Sequence, residues 1–291
     1  MIPAEESLLL ESAPLAWRLA PRLCHKDAAG ESCEWIHGFW QYLRLAGLAS
    51  TPSLHVSFFS GALLRFVGGK DAPRVLISGA ADYSMLALVL GACQARGIRP
   101  DVTVLDRCET PLMLNRWFAD RIGIVITTRL SDILEYSETR AYDLICTHSF
   151  LSEFPRERWS RLLDLWRQLL RPGGAAVTIN RMRSDAGAAP VQFTPGQAAA
   201  LRAALLEKAP TLPAAAAPEA ALLARAAETY AEKRRTWPVQ SREQLVALFE
   251  NAGFSIESLL VGEVAIGAPA GLSGPTTPAG ADYARIVAIR S

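Results

Sequence analysis

Apolar positions along the chain follow different periods in different regions. In "CEWIHGFWQYLRLAGL", Trp35, Phe39, Tyr42 and Leu43 stand at i, i+4, i+7 and i+8, which predicts one face of a helix. "SLHVSFFSGALLRFVGG" predicts a second apolar helix stopped by Gly68 and Gly69, and Lys70–Pro73 reads as a turn that closes this helical region. From there the pattern becomes short apolar runs alternating with amphipathic stretches. "RVLISG", "DVTVLD", "IVITTRL", "YDLICTHSF" and "GAAVTIN" predict strands. "YSMLALVLGACQARG", "TPLMLNRWFADRIG" and "RERWSRLLDLWRQLL" predict the helices among them, the last one ended by Arg171–Gly174. Residues 184–240 lose the rhythm; they are rich in alanine and proline, with helices expected near 195–208 and 217–236. "SREQLVALFENAGF" resumes as a helix. "SIESLLVGEV" and "DYARIVAIRS" predict the last two strands, with the Gly/Pro-rich stretch 267–280 as a flexible hairpin connection.

Strands alternating with helices at this spacing predict an α/β fold: a doubly wound, Rossmann-like, mainly parallel seven-stranded sheet with an antiparallel last strand. Residues 1–72 are expected to form an N-terminal helical lid and substrate-binding region. Residues 73–183 and 241–291 are expected to form the sheet domain. Residues 184–240, too long for a plain connector, read as an inserted helical cap.

Composition narrows the partners. Half of the 291 residues are hydrophobic, ample for a core. Thirty basic against 29 acidic residues, without a long block of either sign, count against a nucleic acid held through its phosphates. Residues 75–93 are apolar enough to raise a membrane span, but Asp82, two glycines and the strand–turn–helix pattern decide against one. Glu5 and Glu6 stand where a signal peptide needs positive charge, so a cytoplasmic protein is expected. The five cysteines, Cys24, Cys33, Cys93, Cys108 and Cys146, are odd in number and none has C-x-x-C spacing. They read as reduced thiols, with neither a disulfide framework nor a zinc site expected. His25, His37 and His55 also lack ligand spacing, and no metal is expected. The oligomeric state is left open.

Doubly wound sheets bind ligands beyond the carboxyl ends of their strands. That places Gly79–Asp82, Asp106 and Thr147–Phe150 along one rim. A dinucleotide fingerprint would be G-x-G-x-x-G/A, but here the turn is G-A-A-D-Y-S. Ala81 replaces the second glycine, and Asp82 would set negative charge beside two phosphates. A ligand without phosphate fits better. S-adenosylmethionine is one: its ammonium and sulfonium favour a nearby carboxylate, and its own carboxylate suits helix N-terminal amides. Asp106, ending the second strand, would accept hydrogen bonds from ribose hydroxyls, with a helix cap as the alternative. Asp132 would meet the adenine amino group or cap a short helix.

At this point the chain resembles the class I S-adenosylmethionine-dependent methyltransferases, over residues 73–181 and 241–290. The resemblance rests on "VLISGAAD", "VTVLD", "SDILE", "YDLICTHSFLSEF", "LLRPGGAAVTI" and the "LFENAGF" helix before a final strand hairpin. It departs from the family at Ala81, and the N-terminal helices and the insert match no particular subfamily. It implies cofactor contacts at Gly79, Ala81, Asp106, Asp132 and Thr147. Neighbouring Asp82, Tyr83, Arg107, Ile133 and His148 complete the expected cofactor site, with Tyr83 laying its ring near the sulfonium. It implies a methyltransferase of secondary metabolism acting on a small organic molecule. The alternatives are an enzyme that uses S-adenosylmethionine itself as substrate, releasing methylthioadenosine, and a non-catalytic cofactor-binding regulator.

Methyl transfer needs an aligned nucleophile and a dry site. His148 is the candidate general base; its alternative is a positioning role. Trp35, His37, Tyr42, Ser149, Tyr230 and Arg234 are the candidate substrate contacts, with Trp40 and Trp237 as further lid residues. Ordinary core packing is the alternative for each. No Asn-Pro-Pro-Tyr-type sequence stands at 147–150, which disfavours the amide-nitrogen methyltransferases that carry it.

Overall fold

The computed structural model describes residues 8–26, 30–213, 216, 218–263, 274–276 and 282–291. The expected connection at 267–280 lies outside these residues, apart from 274–276. Seven strands form one sheet: β1 (Arg74–Ser78), β2 (Asp101–Asp106), β3 (Thr127–Leu130), β4 (Tyr142–His148), β5 (Leu170–Met182), β6 (Phe254–Glu263) and β7 (Asp282–Arg290). Their order is β3-β2-β1-β4-β5-β7-β6. The first five strands pair in parallel, and β7 lies antiparallel between β5 and β6. The order reverses between β1 and β4. At such a switch point the loops leaving adjacent strands diverge and open a crevice.

Both faces of the sheet are covered, so its central strands are apolar on both sides, as a buried parallel sheet requires. On one face Val75, Ile77, Val104, Leu144 and Cys146 pack against α4 (Val56–Val67), α5 (Ser84–Gln94) and α6 (Glu109–Arg121). On the other, Leu76, Ile145 and Ala176 meet α7 (Trp159–Leu169) and α10 (Arg242–Asn251). α5 is buried on nearly all sides from Ser84 to Leu90, because α4 covers its outer surface. That is why "SMLALVL" lacks a polar stripe. Among the described residues no helix is long and apolar enough to cross a membrane.

The N-terminal region and the insert form one body. Phe39, Tyr42 and Leu43 pack with Leu201 and Leu205 of α8 (Pro195–Lys208) and with Leu223, Ala227 and Tyr230 of α9 (Ala220–Lys233). The helix predicted around residues 35–43 is two short ones, α2 (Glu34–His37) and α3 (Trp40–Leu45). They part at Gly38, where a Cβ would lie 3.3 Å from the Cβ of Ala20 in α1 (Leu9–Leu23). Close approach to α1 outweighs the helical period there.

Candidate functional site

The site grows from the ends of β1, β2, β3 and β4. After β1, Gly79 adopts φ +77° and donates its N–H to Leu105 at 2.9 Å. A Cβ on Gly79 would fall 2.1 Å from the ring of Phe150, so this glycine is required by an aromatic ring seated on it as well as by the turn. Asp82, in the turn before α5, accepts from the Ser84 N–H at 2.9 Å, and its other oxygen accepts from Arg44 at 2.6 Å. Both partners are 1% exposed in their side chains. Asp106 ends β2 and accepts two backbone N–H bonds, from Ala80 at 2.9 Å and Cys108 at 2.8 Å. It thereby ties together the loops that follow β1 and β2. Asp132, after β3, accepts from the Leu134 N–H at 2.8 Å and caps a single 3-10 turn. After β4, Ser149 is held at φ +54° with its N–H donated to Ile179 at 2.7 Å. Left-handed backbone at a non-glycine residue is strained and is found where the surrounding structure enforces it.

These loops floor a cavity of about 470 Å³. Gly79, Ala81, Asp82, Asp106, Arg107, Asp132, Ile133, His148 and Ser149 all line it, as do Trp35, His37, Trp40 and Arg234 from the lid and cap. Four expected contacts do not. Tyr83 is fully buried, stacked on Phe118 at 4.8 Å with its hydroxyl 3.2 Å from Ser12 Oγ; it is core beneath α1 and away from the cavity. Tyr42 is 1% exposed and donates to the Ala216 carbonyl at 2.9 Å, joining lid to cap. Tyr230 is buried under Trp35 and Phe39, with its hydroxyl 2.7 Å from Thr276 Oγ1. Thr147 is fully buried in β4, where alternation turns its side chain to the layer opposite that of His148. Trp237 likewise stays off the cavity wall. Asp82 lines the cavity, but its charge is already matched by Arg44, so it is not a free carboxylate for an ammonium.

Burial sets the electrostatics. Asp106 is pushed up to about 6 by desolvation, partly offset by His37 and by its two N–H donors. His148 is lowered to about 3 by burial and by the neighbouring His55, whose ring lies 5.4 Å away. His55 itself falls to about 4, through burial and the charge of Arg285, whose Nε donates to His55 Nδ1 at 3.3 Å. Both imidazoles are therefore neutral at pH 7, and His148 Nε2 has no partner among the described residues. Arg234 is buried and paired through both terminal nitrogens with Glu153.

Sequence reasoning missed Arg44, Phe150 as a ring on the glycine turn, and Arg181 and Tyr283 in the wall. Arg44 carried one signal, a lone charge inside "WQYLRLAGL". Cys24, Cys33, His37 and Cys108 meet, with one candidate ligand atom from each lying within 4.8 Å of the other three. Spacing rules see only ligands that are close in sequence.

No family model matches the sequence, and no curated protein sequence does. Solved structures do match. The 1,6-didemethyltoxoflavin-N1-methyltransferase of Burkholderia thailandensis, solved with 1,6-didemethyltoxoflavin and S-adenosylhomocysteine, superposes with a TM-score of 0.51. Identity is 16%, over 81% of this chain and 78% of that one. Magnesium protoporphyrin IX methyltransferase from Synechocystis PCC 6803, solved with S-adenosylhomocysteine, gives a TM-score of 0.52 at 14% identity, over 87% of this chain and 94% of that one. With five parallel strands, an antiparallel seventh inserted beside β5 and the crevice at the β1–β4 switch, the chain has the fold of the class I S-adenosylmethionine-dependent methyltransferases.

Proposed function

We propose that this chain is an S-adenosylmethionine-dependent methyltransferase acting on a small organic molecule. One observation carries the reading: the three acidic strand ends and the glycine turn converge on a cavity roofed by aromatic lid residues. The donor set fits the cofactor. Asp106 keeps an unused lone pair on each oxygen beyond its two backbone bonds, suited to a ribose diol. Asp132 and Ile133 offer a carboxylate and an apolar side chain to an adenine. The turn lacks the second glycine that a pyrophosphate would need, which disfavours a dinucleotide.

When bound, S-adenosylmethionine supplies a methyl group activated by its sulfonium. The chain's own contribution is placement. Trp35, Trp40 and Pro52 add apolar surface to the cavity wall, which disfavours water beside the reacting groups. His148, a neutral imidazole in the cavity wall, orients an acceptor O–H or N–H. Its low basicity makes it a positioning residue before a base, because general bases work best with a pKa near the operating pH. The cavity size suits a small molecule.

Two measurements test this. Titration should show S-adenosylmethionine binding and no NAD binding. Incubation with candidate acceptors should then give acceptor-dependent S-adenosylhomocysteine. Absence of S-adenosylmethionine binding, or methylthioadenosine released without S-adenosylhomocysteine, would overturn the reading.

A further inference from the structure

Cys24 caps the C-terminus of α1, Cys33 precedes α2, His37 ends α2, and Cys108 precedes α6 just beyond Asp106. The ligand atoms of these four residues converge: Cys24 Sγ lies 3.5 Å from Cys108 Sγ and 3.6 Å from His37 Nδ1. All four atoms lie within 4.8 Å of one another. A tetrahedral zinc ion with bonds of about 2.3 Å to sulfur and about 2.0 Å to nitrogen has ligand–ligand edges of about 3.5–3.8 Å. We propose that Cys24, Cys33, His37 and Cys108 bind one zinc ion in a closed, structural Cys3His site that fastens the lid to the sheet domain.

Chemistry and surroundings agree with this. Three thiolates and an imidazole are the soft, four-ligand set that zinc takes in structural sites, with no position left for water. A disulfide between Cys24 and Cys108 would account for neither Cys33 nor His37. Thr110 Oγ1 stands 3.1 Å from Cys24 Sγ, placed to orient that ligand through an outer-shell hydrogen bond. Three thiolates around a dication leave one net negative charge, and the guanidinium of Arg107 acts on Cys33 to offset it. Binding displaces the thiol protons to solvent.

The position gives the ion a consequence. The Cys108 N–H is one of the two donors that hold Asp106, and Cys33 and His37 both line the cavity. The ion would thus fix the α1–α2 corner of the lid against the loop that presents Asp106. An effect of its removal on cofactor affinity rests on the function proposed above; occupancy of the site does not.

The test uses the full chain, purified under reducing conditions and dialysed against metal-free buffer. Elemental analysis should find about one zinc per chain. Cys33→Ser and Cys108→Ser should each reduce this to about a tenth or less, while Cys93→Ser, a buried cysteine outside the cluster, leaves it unchanged. Because a ligand variant can fail to fold, wild-type protein is also stripped with chelator and refilled with cobalt(II). It should gain the intense visible absorption of tetrahedral cobalt thiolate, reversed by added zinc. Zinc below about a tenth of an equivalent after reconstitution, or a cobalt spectrum of octahedral type, overturns the proposal. So does recovery of a Cys24–Cys108 disulfide in reconstituted chains that hold no zinc, which would assign the cluster to redox chemistry.

Discussion

The contact between Arg44 and Asp82 decides whether the lid and the glycine turn are locked together. Arg44→Met keeps the length and apolar stem of the side chain and removes its charge. In the wild type, one Asp82 oxygen is satisfied by the Ser84 N–H and hydroxyl and the other by Arg44 at 2.6 Å, with both side chains 1% exposed. Loss of the guanidinium leaves a buried carboxylate with one oxygen undonated. The attraction at about 4 Å and an effective dielectric near 20 is about 4 kcal/mol. Breaking one side of a buried pair costs about 3–5 kcal/mol. Against a total stability of about 5–15 kcal/mol this is a large fraction. Urea unfolding followed by circular dichroism should therefore show a clear fall in midpoint. Asp82→Asn in the same chain removes the stranded charge, and the asparagine amide oxygen still accepts from the Ser84 N–H. The double variant should recover most of the loss. A single Arg44→Met that costs under about 1 kcal/mol, as an exposed pair would, refutes the reasoning. So does a double variant that merely adds the two single losses.

Asp106→Asn should weaken S-adenosylmethionine binding by about 1.5–3 kcal/mol, the range for hydrogen bonds to a charged acceptor. Calorimetry with an unchanged dissociation constant would remove Asp106 from the site. With His148 held near 3, the turnover number should be flat from pH 5 to 8, and His148→Asn should keep most of the rate. An inflection near 6.5 that disappears in His148→Asn would restore the general-base role. His55 and His148 have folded values of about 4 and about 3, below the ordinary histidine value, so the unfolded chain binds more protons in acid. The stability this protects is full at neutral pH and is lost as pH falls from about 6.5, at about 1.4 kcal/mol per pH unit for each histidine. Urea midpoints between pH 7 and 4.5 should drop more steeply in the wild type than in His55→Gln; equal slopes would show that His55 does not titrate this way.

Fold class was legible because its signals are local. Short apolar runs, amphipathic helices and glycine stops at Gly97, Gly123 and Gly253 each report on their own neighbourhood. The strand ends then had to share a rim, which placed Gly79, Asp106, Asp132 and His148 around one cavity, as the structure has them. Side-chain direction was less accessible. Tyr83 immediately follows Asp82 yet turns into the core, because the first turn of α5 points it at Phe118 rather than at the crevice. Tyr42 and Tyr230 were expected to face a substrate, but the N-terminal helices and the insert pack on each other and bury both rings between them. Long-range pairings could not be read at all. Arg44 and Asp82 are 38 positions apart, and Cys24 and Cys108 are 84 apart. Periodicity reports on neighbours within a few turns of backbone, so it determines which elements form and which faces they bury. Which charge meets which, and whether separate thiols become one ligand cage, depends on chain closure over tens of residues, and only the tertiary structure decides it.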